Sequence, residues 1–415
     1  MPPVDAVRPA SSFVALQHRN FRLLWAGQFV SFSGSTMQTA AILWHVALLV
    51  PPQRKGLALG LVGLVRLVPI VVLGPMSGVV ADARDRRRVM LVTQTVMGLI
   101  ATALAILTFR GVAVVWPIYL LAGLGAAAGS FDGPARQSLV PNLVPSAHLP
   151  NAIGLMTIMS QSASVIGPSL GGIVIALLGV GWAYALNAAS FLAVLAALLL
   201  MRDVVPRAAG TATEISRRAL VEGLRFVFAS PLIRSTLLLD GFATFFSSAT
   251  ALLPIFAQDV LVVGARGYGW LYAAPSIGAL VASGLMVRLV DRIEHRGRVL
   301  LWAVAVYGTA TVAFGLSGAF WLTFLCLAGS GAADTVSLVL RHIIRQVETP
   351  DHLRGRVVGV SMVFFMGAPQ LGELEAGVVA DWLGAPLSVV IGGLGCLAAT
   401  TWIAVRTPAL RHYRR

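Results

Sequence analysis

The chain has 415 residues, 57% of them hydrophobic and only 12% charged, where a soluble domain carries about 25% charged residues. So few charges cannot clothe a water-facing surface, which excludes an ordinary soluble globule. The formal net charge of +14 raises the question of nucleic acid, and the answer depends on where the charge lies.

Apolar runs of about 20 residues match the thickness of a hydrocarbon core, and they recur along the whole chain. About twelve spans are predicted, at 21–50, 57–81, 88–109, 112–138, 150–178, 181–201, 234–262, 268–290, 298–317, 320–346, 353–383 and 386–406. Only helices or closed barrels satisfy their backbone in lipid, and these runs lack the alternation of a barrel strand. The expected class is an all-α, polytopic membrane protein. The first twenty residues lack the apolar core of a signal peptide, and the run from Phe21 would itself direct insertion. Cys326 and Cys396 lie in apolar runs and suggest neither a disulfide nor a metal framework.

The basic residues fall on one side of the spans. With the N-terminus inside, the inner face holds Arg19 and Arg22, the run Arg84 to Arg88, Arg202 to Arg234, Arg288 to Arg298, Arg341 to Arg356 and the arginines after Arg406. Outside lie Arg54, Lys55, Arg110 and Arg266, and Arg66 sits within a span. This bias sets topology, with both termini cytoplasmic. It is a membrane address, and no nucleic-acid partner is expected.

Segment 202–233 is the longest polar stretch, with an amphipathic helix predicted around 214–228 from Leu220, Leu224 and Phe228. It divides the chain into an N-terminal bundle, 1–201, and a C-terminal bundle, 234–415, of about six spans each. The halves resemble one another. "SGVVADARDRRRVML" (77–91) has a counterpart in "SGLMVRLVDRIEHRGRVLL" (283–301), and "SFDGPARQSLVPNLVPSAHL" (130–149) in "AADTVSLVLRHIIRQVETPDHL" (332–353). A repeat of this length with a path between its halves is how many secondary transporters are built.

Residues 78–88 resemble the loop motif of the major facilitator superfamily, matching at Gly78, Asp82, Arg86, Arg87 and Arg88. They depart from it at Ala83 and Asp85, where arginine and glycine are usual. In the fifth span Gly154, Gly167, Pro168, Gly171 and Gly172, with Ala163 for one glycine, resemble the glycine–proline motif associated with antiporters. "FDGPARQ" and "FVFASPLIRS" are similar to the branch containing the enterobactin exporter and macrolide efflux proteins. The resemblance covers essentially the whole chain. It implies twelve helices in two pseudo-symmetric six-helix bundles and a bacterial inner-membrane drug:proton antiporter that works as a monomer.

Within that resemblance, Asp82 faces the N-terminal end of the eleventh span near Gly355. Arg86 joins Asp82 to Asp132, with Arg136 nearby, as a cytoplasmic latch that alternates with the transport state. The glycine–proline stretch is a packing and bending device. Ionisable residues inside spans are costly and usually functional. Arg66 in the second span is expected to pair with Glu373 or Glu375 in the eleventh as a protonation-sensitive coupling pair, the first proton-site candidate, Glu375 preferred because Ala376 and Gly377 follow it. Asp240 is a second proton-site candidate, and Asp334 a structural echo of Asp132. Gln28, Ser31, Ser35 and Gln38 share nearly one helical face, a polar stripe suited to a hydrated substrate cavity.

No phosphate-binding loop accompanies the sole lysine, Lys55, and no catalytic or metal constellation is legible, so neither enzyme activity nor a cofactor is expected. The leading reading is export of a small amphipathic molecule, drug- or siderophore-like, in exchange for protons. The alternatives are an importer or facilitator of a small solute, separated by flux under an imposed pH gradient, and a membrane receptor or channel subunit, separated by single-channel steps or signalling without flux.

Overall fold

The computed structural model describes residues 13–202, 224–350 and 353–414. Twelve helices of 16 residues or more are present among them. The first six are α1 Arg19–Leu49, α2 Lys55–Ala83, α3 Arg86–Phe109, α4 Trp116–Leu139, α5 Leu149–Leu178 and α6 Val180–Leu200. The second six are α7 Pro231–Phe246, α8 Gly264–Leu289, α9 Arg296–Leu316, α10 Phe320–Glu348, α11 Arg354–Leu383 and α12 Ala385–Arg406. Among the described residues nine helical stretches are long and apolar enough to cross a membrane. The helices outside that set, α1, α4 and α11, are those carrying the Gln/Ser stripe, Asp132 with Arg136, and Glu373 with Glu375.

One predicted span is not a single helix. The run expected at 234–262 breaks after Phe246 and continues as a 3-10 turn, Ala249–Leu252, and a π turn, Phe256–Val260. Pro254 heads the short helix that follows the 3-10 turn, Leu253–Ile255, where its missing N–H leaves no helical bond unmade. The predicted linker helix lies mostly outside the described residues, as do the surroundings of Gly78 and Gly355 and the side chain of Asp82.

The packing repeats between the halves. α1 packs on α5 and α6, α2 on α4, and α3 on α4 and α6; in the second half α7 packs on α11 and α12, α8 on α10, and α9 on α10 and α12. The chain reverses between α5 and α6 at Gly179 (φ +92°, ψ 168°) and between α11 and α12 at Gly384 (φ +87°, ψ 151°). That backbone region is open essentially to glycine alone, so the same residue makes the same corner in both halves.

The apolar core is divided unevenly. At the end holding the α1–α2 turn, Gly179 and Gly384, here the distal end, one cluster joins both halves. It includes Trp44, Leu59 and Tyr184 from the first half and Leu252, Tyr268, Phe314 and Val389 from the second. At the proximal end, where α1 and α7 begin, the described residues form separate clusters. One, around Phe21, Met90 and Leu139, belongs to the first half; another, around Leu300, Leu340 and Ile403, belongs to the second. The halves are therefore joined distally and distinct proximally.

Alanine at Gly179 or Gly384 forces a Cβ into that glycine-only region, at a cost of about 1–3 kcal/mol each. Either variant is expected to lower the thermal unfolding temperature of the purified chain, whereas Gly154→Ala, in mid-helix with open space around it, is expected to hold or raise it.

Candidate functional site

Two seams hold the halves together, and both are built on glycine. On α2, Gly56 stands against Gly377 of α11, and Gly60 is so close that a Cβ would meet the Glu373 carbonyl at 2.8 Å. On the other side, a Cβ on Gly172 of α5 would come within 2.9 Å of the Gly269 Cα on α8 and 2.5 Å of the Ala265 carbonyl. The α2–α11 and α5–α8 crossings are equivalent under the repeat. Without side chains the backbones meet directly, the arrangement that dispersion and Cα–H···O contacts favour in lipid. Of the predicted packing motif, Gly172 thus bridges the halves, while Gly167 and Gly171 seat α5 on Ser33, Thr36 and Met37 of α1. Pro168 places its carbonyl against Gly269 within an unbroken helix. Gly154 touches nothing, which corrects its assignment as a packing residue.

Polar contacts reinforce the distal seams. Lys55 Nζ bonds Asp259 Oδ2 at 3.0 Å and Gln258 Oε1 at 2.9 Å across the halves, with the lysine 9% and the aspartate 47% exposed. The Gly56 amide donates to Asp381 Oδ1 at 2.8 Å, and the Tyr268 hydroxyl to the Ala40 carbonyl at 2.8 Å. Gln258 and Asp259 are presented by the π turn, and two residues later Val262 adopts φ +52°, which is unfavourable for a β-branched side chain. π turns recur at functional sites. The one sign of this clamp legible beforehand was the isolation of Lys55 as the sole lysine.

Along the α2–α11 seam, Glu373 Oε2 lies 2.7 Å from where a Gly63 Cβ would be. Arg66, one turn further along α2, acts on Glu373 through its charge, and both act on Tyr272 of α8. No ion pair closes between Arg66 and either glutamate. The preference for Glu375 is corrected here: Glu373 is the residue turned toward α2 and Arg66, because the helical period sends the residue two positions on to another face.

The polar stripe of α1 is used inside the first half. Gln28 and Ser31 are buried; Gln28 Oε1 accepts from Arg136 at 3.1 Å, and Ser31 Oγ reaches Gln94 at 3.3 Å. Ser35 bonds its own helix, and Gln38 accepts from Asn187 of α6 at 2.8 Å. These side chains brace helix against helix, which corrects the expectation that Gln28 and Ser31 line a cavity. Arg136 also sits over the Phe32 ring at 5.6 Å.

The proximal loop is a tight corner. α2 stops at Ala83, and Asp85 caps α3 by accepting the Arg87 amide at 3.0 Å. The unusual aspartate in the motif therefore satisfies an orphan helix N–H. Arg86 donates to the Ser138 carbonyl at 3.1 Å, while Asp132 is held by Thr93 at 3.0 Å and Gln94 at 2.9 Å. The expected Arg86–Asp132 link is absent: Arg86 turns to the Ser138 carbonyl, and Asp132 Oδ1 takes both of its donors from α3.

The second half holds a charged core. Asp240 of α7 meets Arg341 at 2.8 Å and Arg345 at 3.3 Å, both from α10, and Arg341 also reaches Asp334 at 3.3 Å. Asp240 and Arg341 are almost wholly buried. The first-half counterpart is the neutral Gln28–Arg136 contact, again between the first and fourth helices of a half. Arg341 and Arg345 are corrected from inner-face arginines to interior ones. The available signal was their spacing of four along an apolar helix, seven and eleven residues after Asp334.

Residues 10–413 match the family described as transmembrane secretion effector. The chain belongs to that family of major facilitator superfamily transporters. It is 27% identical over 402 residues to the enterobactin exporter EntS of Escherichia coli (strain K12), covering 96% of this chain and 94% of that one. It is 27% identical over 395 residues to the MFS-type transporter YfiS of Bacillus subtilis (strain 168), covering 90% and 89%. Among solved structures, the nucleoside transporter NupG superposes with a TM-score of 0.75 at 12% identity, covering 93% of this chain and 99% of that one. A bacterial homologue of the iron transporter ferroportin superposes with a TM-score of 0.71 at 17% identity, covering 96% and 99%. The fold is that of these transporters, and the chain is a multi-pass membrane transporter, not an enzyme.

Removing one partner from a buried ion pair leaves an uncompensated charge and costs about 3–5 kcal/mol, against about 0–1 kcal/mol for an exposed pair. Arg341→Gln is therefore expected to lower the unfolding temperature far more than Arg88→Gln, whose 3.5 Å partner Asp85 is half exposed. Equal shifts in the two variants would contradict this description of the core.

Proposed function

We propose that this protein is a secondary active exporter of the bacterial inner membrane, moving a small amphipathic, drug- or siderophore-like molecule outward by alternating access in exchange for protons. In this reading α1–α12 are twelve spans with both termini cytoplasmic. The bundles 1–201 and 234–415 rock about the distal seams as a monomer, with 202–233 linking them and no nucleic acid or cofactor involved.

The observation that carries the reading is the divided core: one apolar cluster shared distally, separate clusters proximally. The arginine-rich turns lie at the proximal end, so the positive-inside rule makes that end cytoplasmic. The halves then part on the side where an exporter loads. Similarity to the enterobactin exporter favours a siderophore-like cargo, and the largely apolar helices suit an amphipathic one. The opposite state requires the distal clamp to open and the proximal ends to meet. The Gly78–Asp82 stretch and the start of α11 then form the latch, without the Arg86–Asp132 link.

Full-length protein in proteoliposomes is expected to move enterobactin uphill when an opposing pH gradient is imposed, and to lose that flux when the gradient is collapsed. Flux indifferent to the gradient would remove proton exchange, and accumulation in the opposite direction would favour an importer. Asp82→Asn is expected to impair this flux with normal membrane insertion, whereas full flux would count against the latch. For sidedness, a C-terminal green fluorescent protein fusion is expected to fluoresce and a C-terminal alkaline phosphatase fusion to stay inactive; the reverse pattern overturns the topology.

A further inference from the structure

Asp334 lies where two features of the second half meet: a polar cavity and the buried chain of charges. The cavity, of about 100 Å³, is lined by residues of the turn after α7 and of α8, α9 and α10; its polar lining is Ser247, Thr250, Tyr307, Thr311, Ser330 and Asp334. That is room enough for water, and these hydroxyl and carboxylate groups supply the polar partners that buried water needs.

The four charges are not equivalent. The Asp334 side chain is 40% exposed, whereas Asp240 and Arg341 are 2% and 1% exposed. Asp334 also has the longer contact to Arg341, 3.3 Å against 2.8 Å for Asp240. Two carboxylates balance two guanidiniums while Asp334 is ionised. A proton taken from bulk solvent and relayed through cavity water to an Asp334 carboxylate oxygen leaves Asp240 alone facing Arg341 and Arg345. Unbalanced positive charge in a low-dielectric interior is costly, and the group with room to withdraw is Arg345, 11% exposed toward the proximal end of α10. The charge state of the cavity wall is thus felt on α7 through Asp240.

The ionisable groups around Asp334 are few. Its own helix presents Arg341 and, through Asp240, Arg345; α7 presents Asp240; α9 presents Tyr307; α12 presents Cys396. α8 contributes only Pro275 to the cavity wall. The first-half carboxylate, Asp132, is 5% exposed and held by two neutral donors.

The geometry points to Asp334 as the proton-binding residue of the transport cycle, loaded from water in this cavity, with Arg341 relaying its charge to Asp240 on α7. This inference rests on the proton-coupled reading above and moves the proton from the α2–α11 seam into the second bundle.

The test needs no cargo. Infrared difference spectra of the full-length protein in liposomes, stepped from alkaline to acidic pH, report carboxyl groups that take up a proton. The wild-type band from a buried carboxyl is expected to be absent in Asp334→Asn, retained in Glu373→Gln and displaced in Asp334→Glu. A band that survives Asp334→Asn, or is abolished by Glu373→Gln, overturns the assignment. If Asp334→Asn does not fold, Asp334→Glu decides: a displaced band supports the assignment and an unmoved one overturns it. Loss of the band with no pH-driven enterobactin flux in wild type would remove the exporter reading and leave Asp334 as a proton site. Intact coupling in Asp334→Asn would do the opposite.

Discussion

Everything in this fold depends on two places where backbone touches backbone. In lipid, apolar side chains gain little by leaving their surroundings for one another, so helices associate through close packing and polar contacts. The Gly56–Gly377 and Gly172–Gly269 crossings supply that closeness between the halves, and the shared apolar cluster lies at the same end. A contact without interlocking side chains can tilt or part with little repacking. The halves are held firmly enough to form one molecule and narrowly enough to suit the rocking motion proposed above.

Charge is distributed to suit that division. Each half stiffens itself with an arginine from its fourth helix reaching its first, but the first half answers with the neutral Gln28 and the second with Asp240. Among the described residues, only the second half thereby acquires a buried network whose balance a single proton can upset. Between the halves the polar link is different in kind: Lys55 bridges to Asp259, which is half exposed at the distal mouth. Water can compete for such a pair, so the distal clamp is far cheaper to open than the Asp240–Arg341 pair.

The helical class and most helix positions were legible in the sequence because span length and charge bias are set directly by the bilayer. The seventh span was legible as a crossing but not as a broken helix, because hydropathy does not register the turns that follow Phe246. The site was legible in type more than in pairing. Arg66 and Glu373 were identified as interior charges, but choosing between Glu373 and Glu375 required the rotation of α11 about its axis. The Gln28–Gln38 stripe was real, and its direction was wrong: a polar face is as useful for bracing Arg136 and Asn187 as for lining water. Arg341 escaped notice because an arginine near a helix end looks like a topology signal until its neighbours are known. Asp85 looked like a defect in a motif and is a helix cap, a role set by local geometry at a two-residue corner.

The claim that matters most is that the distal seam must open during turnover. In a chain with Cys326 and Cys396 replaced, cysteines at positions 55 and 259 can be joined by a short crosslinker across the two halves. The account predicts that crosslinking abolishes transport and that cleaving a reducible linker restores it. Undiminished turnover by fully crosslinked protein would contradict it.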